Sequence, residues 1–416
     1  MIVKDAQRPA KGSFYRPELD VVRFLAFVLV YLHHTMPSVE RFPRAAKALG
    51  HWTRVIDSFQ PACGFGLSLF FTLSAFLICE LLIREREYVG TIHVKQFYIR
   101  RILRIWPLYY FGLFLGIVVA FLPGGQISDV FRIGWFVVFM GAWNITLHGL
   151  IHNPMNPLWS ISVEEQFYVF APWALKYLSR KWLYVASIGI VLFANLWLYR
   201  LGLISASDTQ IWFSSVVQFE CFAAGILLCL FLHGRMPRLG ALTRSSFLAA
   251  CACCWMAACY FLHVRFYDNG ANPGSPRLIC GYALGVAGCV LLLLAFLGAA
   301  PKHFPRWAVY LGRISFGLYV YHDFVINFTR RLVIDPLMAA TIQNNLVRDH
   351  VTVGLSMALP FGLTIVVAAL SYRYLETPFL KMKRRHAVIE SQPIGTTSDR
   401  PTEERIPALA DGSRQR

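Results

Sequence analysis

The 416-residue chain is 56% hydrophobic and only 15% charged, with a formal net charge of +17. That composition lies outside the range of soluble globular chains, in which about a quarter of residues are charged. The positive charge collects in short clusters beside apolar runs, Arg84/Arg86/Lys95/Arg100/Arg101/Arg104 and Lys381/Lys383/Arg384/Arg385. This is the distribution of cytoplasmic loops in a membrane protein, and it excludes nucleic acid as the partner.

In chain order, residues 1–18 form a polar segment without the features of a cleavable signal peptide. Apolar runs follow near 20–37, 63–83, 105–122, 161–178, 182–200, 211–232, 246–264, 277–299, 314–333 and 351–374. Each is long enough to cross ~30 Å of hydrocarbon. The fold expected is therefore all-α and polytopic, with about ten transmembrane helices. Basic loops alternate consistently only if 131–147, interrupted by Gly134, Gly141 and Asn144, is re-entrant or partly inserted. On that count both termini are cytosolic and the protein lies in the inner (plasma) membrane. The transmembrane domain runs over 19–380, and 381–416 is a basic and then Ser/Thr/Pro/Glu-rich tail expected to be disordered. Most of the ten cysteines fall inside spans and none has partners at zinc spacing, so they read as packing residues and no metal is expected.

Ionisable side chains inside a span cost about 2.5–3.5 kcal/mol each on insertion scales, so each needs a reason. The first span holds Asp20, Arg23, His33 and His34. Eleven helical residues advance about 1100°, so Arg23 and His34 share a face to within about 20°. His33 points about 100° away. Asp20 and Arg23 are also placed for an ordinary ion pair at the membrane entry. The string Pro157-Leu-Trp-Ser-Ile-Ser-Val-Glu-Glu-Gln-Phe-Tyr168 opens a later span with two adjacent carboxylates. Glu164 and Glu165 differ by about 100° around a helix, so one faces the bundle while the other stays at the aqueous edge. Ser160 or Ser162 could cap that helix.

Phe97-Tyr-Ile-Arg-Arg-Ile-Leu-Arg-Ile-Trp-Pro-Leu-Tyr-Tyr110 starts another span with Arg100, Arg101 and Arg104 crowded on one side. Guanidinium groups suit bidentate phosphate recognition, although any such cluster also anchors a cytosolic loop end. Two later pieces bear chemistry: Tyr319, Tyr321, His322 and Asp323 in Gly312–Asp323, and Glu376 at the end of the last span.

Six of these pieces, in order, resemble the membrane-bound acyltransferase-3 family, whose members O-acylate carbohydrates and related molecules. They are Arg16-Pro-Glu-Leu-Asp20…Arg23…His34, Gly66–Ile78, the Phe-Tyr-x-Arg-Arg-x-x-Arg segment, the Pro157–Tyr168 string, Ser315–His322 and Tyr374–Pro378. The resemblance covers about residues 14–385, with Ser68 where the family usually has Asp, and Ser74-Ala75-Phe76 for its usual Ser-Gly-Phe. It implies a cytosolic acyl-CoA donor, an essential histidine at His34, and essential arginines at Arg23 and Arg100–Arg104.

The expected reaction moves an acyl group, acetyl in the simplest case, to a hydroxyl of a carbohydrate or glycoconjugate acceptor. His34 serves as general base, Glu164 orients it or holds the acceptor, and Arg23 stabilises the thioester oxygen. Arg100, Arg101 and Arg104 hold the acyl-CoA, with Asp20, Glu165, Ser162, Tyr168, Tyr319 and His322 in support. No cofactor is bound; acyl-CoA is a co-substrate and membrane lipid the surrounding partner. Direct transfer and an acyl-histidine intermediate both remain open. The alternative from another class is a transporter or flippase of an amphiphilic glycan or small molecule, since charged residues also line transport paths.

Overall fold

The computed structural model describes residues 2–3, 15–38, 50, 52–266, 274–337 and 345–386. The expected disordered tail lies outside the described residues from 387 onward, as does most of the N-terminal segment. Among the described residues fifteen α-helices carry the fold: α1 (Pro17–Thr35), α2 (Trp52–Val89), α3 (Val94–Ala120), α4 (Ser128–Val137), α5 (Gly141–His148), α6 (Trp159–Tyr177), α7 (Arg180–Leu203), α8 (Asp208–Trp212), α9 (Ser215–Leu232), α10 (Ala241–Tyr260), α11 (Ser275–Phe296), α12 (Arg306–Arg313), α13 (Ser315–Thr329), α14 (Asn345–Ser371) and α15 (Thr377–Arg384). Among the described residues the only sheet is a two-residue pairing of β1 (Ile2–Val3) with β2 (Met236–Pro237).

The chain is a polytopic helical membrane protein, and every expected span has its helix. Among the described residues seven helical stretches are long and apolar enough to cross a bilayer by length and composition: α2, α3, α7, α9, α10, α11 and the run Thr352–Arg384. The three expected spans outside that set are informative. α1 carries Glu18, Asp20 and Arg23, α6 carries Glu164, Glu165 and Lys176, and α13 has only 15 residues. These helices bring Asp20, Arg23, His34, Glu164, Tyr319 and His322, so part of the chemistry lies where the hydropathy signal is weakest, while Arg101, Arg104 and Ser74 come from the strongly apolar α3 and α2.

The segment expected to be re-entrant is two helices of 10 and 8 residues, each too short to cross. The break falls at Phe139, whose φ is +58°. Carbonyls freed at a helix end must find other donors. Here Tyr109 Oη donates to Phe136 O at 2.6 Å, Tyr110 Oη to Val137 O at 3.1 Å, and Gln166 Nε2 to Phe139 O at 3.0 Å. The broken segment is thereby bonded to both α3 and α6.

α2 is the central post: its apolar stretch is mostly buried, and it packs against α1, α6, α9, α10 and α11. α7 lies at the periphery and exposes Val185, Ile188, Leu192, Phe193 and Leu196, a surface suited to lipid. Close approach at α1 depends on small residues, as in other membrane bundles. A Cβ on Gly66 would lie 2.7 Å from Ala26 O, and one on Gly312 would run into the carbonyl of Asp20. Gly312→Ala therefore overpacks the α1–α12 contact, which costs about 1–3 kcal/mol. The expected result is a lowered thermal unfolding midpoint of the detergent-solubilised protein; an unchanged midpoint would mean that α12 can shift off α1 without penalty.

Candidate active site

A pocket opens among α1, α2, α3, α6 and α13, lined by Asp20, Arg23, Arg101, Arg104, Ser74, Ser160, Glu164, Tyr168 and Tyr319 together with apolar side chains. α1 supplies its first pair. Arg23 Nη1 donates to Asp20 Oδ1 at 2.6 Å, and Tyr15 Oη donates to Asp20 Oδ2 at 2.9 Å. Asp20 is 1% exposed, so the ion pair read as one possibility in the sequence is present, and it fixes Arg23 at the pocket wall.

α3 contributes Arg101 and Arg104, three residues apart on one face. Arg101 Nε is buried with no hydrogen-bond partner among the described residues. Arg100 corrects the expectation that three guanidinium groups share one side. It lies about 100° around the helix from Arg101, and donates from Nη2 to Glu85 Oε2 at 2.8 Å and from Nη1 to His386 O at 3.0 Å. Arg100 does not line the pocket; its charge is matched by Glu85.

On α6 the positions 160, 164 and 168 fall four apart and form one stripe facing the pocket. Glu164 accepts from Ser74 Oγ at 2.8 Å and from Tyr168 Oη at 2.9 Å. Ser74 lines the pocket, although the sequence named it only within the Ser74-Ala75-Phe76 departure of the Gly66–Ile78 run and gave it no site role. Ser162 and Glu165 point elsewhere: Ser162 Oγ sits 3.4 Å from Tyr109 Oη, and Glu165 accepts from Trp106 Nε1 at 3.4 Å. Glu165 is partly buried, and its other carboxylate oxygen has no partner among the described residues. Neither residue lines the pocket.

At the inner end of the pocket stands Tyr319. Its hydroxyl lies 2.7 Å from Ser160 Oγ and donates to Pro157 O at 2.9 Å. His322 follows, its ring centroid 5.5 Å from that of Tyr319, and His34 lies 5.1 Å beyond His322. His322 is fully buried; its Nδ1–H donates to Tyr319 O at 2.5 Å, which leaves Nε2 as the lone-pair nitrogen, buried without a partner among the described residues. His34 is half-buried and faces into the bundle between His33 and His322. His33 is tied into the scaffold instead: its Nδ1–H donates to Gln60 O at 2.9 Å, and Gln60 Nε2 donates to His33 O at 2.6 Å.

Of the two roles expected of Glu164, its contacts do not match the orienting of His34: its oxygens are held by Ser74 and Tyr168 in the arginine pocket, and the ring against His34 is His322. Neither His34 nor His322 lines the pocket, whereas Tyr319 and Ser160 do.

Fold and site together define a multi-pass membrane protein with a buried cationic pocket, separated by one tyrosine from a histidine pair. A family model described as an acyltransferase domain matches residues 16–372, and the chain belongs to that family, acyltransferase-3. The peptidoglycan O-acetyltransferase OatA of Listeria monocytogenes is 25% identical over 397 residues, covering 88% of this chain and 56% of the relative. A candidate O-acetyltransferase of Staphylococcus aureus is 25% identical over 344 residues, 76% of this chain and 52% of its own length. A candidate peptidoglycan O-acetyltransferase of Bacillus subtilis, YrhL, is 25% identical over 347 residues, 75% and 50% respectively. The chain thus spans about half the length of the curated relatives it matches. No solved structure matches it.

Proposed function

We propose that this chain is a membrane O-acetyltransferase, taking an acyl group from an acyl-CoA thioester on the cytosolic side and placing it on a carbohydrate hydroxyl. The observation that carries the reading is the juxtaposition of a pocket bearing Arg101 and Arg104 with the His322–His34 pair, one tyrosine apart. Guanidinium groups in a buried site suit the phosphates of an anionic acyl carrier. A neutral imidazole suits the removal of a hydroxyl proton. The relatives' O-acetyltransferase names support the acyl group and the sugar acceptor.

In the proposed reaction the acceptor hydroxyl gives its proton to His34 as its oxygen attacks the thioester carbonyl. The tetrahedral oxyanion is stabilised by a nearby cation, for which Arg23 is the candidate. Collapse breaks the C–S bond, and the leaving thiolate takes the proton back from the His34 imidazolium, so an ester and a free thiol result. His322, with Nδ1–H committed to Tyr319 O and Nε2 without a partner among the described residues, stands beside His34 and is assigned the supporting role first given to Glu164. For the thioester arm to reach His34, the Tyr319 ring must turn, giving up hydrogen bonds worth about 1 kcal/mol each.

The test uses purified protein in lipid nanodiscs with isotope-labelled acetyl-CoA and a glycan acceptor. Thiol release together with label on the glycan is the expected outcome. A protein that consumes no thioester but moves glycan across the bilayer would be a transporter, and the enzymatic reading would be abandoned.

A further inference from the structure

A second cavity, of about 1180 Å³, lies between α3 and α14 with α13 as its floor. Its walls are largely apolar, among them Phe111, Val118 and Leu122 of α3, Phe324 and Phe328 of α13, and Leu370 of α14. At one end Tyr321 Oη donates to Ser371 Oγ at 2.9 Å, and its ring packs edge-on against Phe111. At the other, Asn153 Nδ2 donates to Gly116 O at 2.8 Å and holds the loop 151–156 against α3. Leu122, Phe328 and Leu370 are exposed, so the cavity is a groove open on the flank of the bundle, where a bilayer meets it.

The floor of the groove is not apolar throughout. Asp323 and Asn327, one turn apart on α13, both line it, and Arg331 follows in the π-helical turn Arg330–Ile334. Asn327 Nδ2 donates to Asp323 Oδ1 at 3.1 Å, and among the described residues no cation pairs with Asp323. An ionisable group at this depth is costly and faces a partner or a cavity with a polar occupant. Bilayer chains suit the apolar walls but offer the carboxyl no hydrogen bond. A hydroxyl donates to Asp323 and accepts from or donates to the Asn327 amide.

Position ties the groove to the histidines. Tyr319, which lines the arginine pocket, and Asp323, which lines the groove, lie four residues apart on one face of α13. His322, packed against His34, directly precedes Asp323. The two cavities thus meet α13 one turn apart, at the level of the histidine pair.

We infer that the groove binds an amphiphile, with a hydroxyl-bearing headgroup at Asp323 and Asn327 and a hydrocarbon chain along α3 and α14. A largely apolar site with a few convergent polar groups fixes such a ligand in one orientation. That the amphiphile is the acyl acceptor, a carbohydrate on a lipid anchor, rests on the proposed function; the site itself rests on the groove and its carboxyl.

Photolabelling of the full-length protein in phosphatidylcholine nanodiscs tests this. The probe is a dodecyl glucoside with a diazirine in its chain, and the control a phosphatidylcholine with the same diazirine chain. The glucoside is expected to label the peptides containing Phe328 and Leu370 at concentrations where the control does not. Asp323→Leu should raise the concentration for half-maximal labelling by about tenfold or more, the scale of one hydrogen bond to a carboxylate. Asp323→Asn, which keeps an acceptor oxygen, should stay within about threefold of the wild type. Equal labelling by both probes, or labelling indifferent to Asp323→Leu, overturns the site and leaves a lipid-filled crevice. Asp323-dependent labelling in a protein that releases no thiol from acetyl-CoA leaves the site standing and removes the acceptor role. Should Asp323→Leu unfold, as judged by its thermal midpoint, Val118→Trp fills the groove from α3 instead. It should abolish the label, and unaltered labelling there overturns the site equally.

Discussion

Replacing His34 with alanine removes acyl transfer, lowering the rate by about 10²–10⁴ as expected for loss of a general base, while the helix bundle stays folded. The control is its neighbour. His33 forms a reciprocal pair of hydrogen bonds with Gln60, joining α1 to the first turns of α2. His33→Ala takes the Nδ1–H donor away from Gln60 O, which costs about 1–3 kcal/mol of stability, while Gln60 Nε2 keeps the backbone carbonyl of residue 33 and the transfer chemistry is expected to remain. Two adjacent histidines thus have opposite signatures. A transfer assay and a thermal unfolding curve on each variant distinguish them; activity retained in His34→Ala would remove that residue from the mechanism.

The second large effect concerns the arginines of α3. Arg101→Met and Arg104→Met should each weaken donor binding by about 10- to 100-fold, because charge-assisted hydrogen bonds contribute about 1.5–3 kcal/mol, with little change in the thermal midpoint. Arg100→Met behaves differently. It strands Glu85, which is 1% exposed, as a buried charge without its partner. Breaking such a pair costs about 3–5 kcal/mol, so stability falls first. Donor titrations and unfolding curves on all three variants check the division; equal donor defects with equal stability would mean that Arg100 also meets the ligand.

Much of this was legible in the sequence. Run length located a helix for each of the ten expected spans, because a bilayer imposes one length on all of them. The interruption by Gly134, Gly141 and Asn144 marked 131–147 as no ordinary crossing, and two short helices lie there. The shared face of Arg23 and His34 followed from helical period alone. What stayed hidden was the partner of each side chain. Arg100, Arg101 and Arg104 look equivalent in a string of residues, and only the approach of Glu85 from α2 separates the first from the others. The hydrogen-bond partners of Glu164, Ser74 and Tyr168, were not legible, because they depend on how α6 packs against α2. The stripe Ser160, Glu164, Tyr168 was available at a spacing of four, and counting it would have separated Glu164 from Glu165 and Ser162.

The tyrosine at the inner end of the pocket has an electrical consequence. A continuous wet channel joining the arginines to His34 would short-circuit the bilayer, letting protons and small ions run down the potential that the cell maintains. Tyr319, held between Ser160 and Pro157, interrupts that route. Under the proposed transfer, insulation and passage become alternative rotamers of one side chain, and an acyl group would cross only while something fills the gap the ring has left.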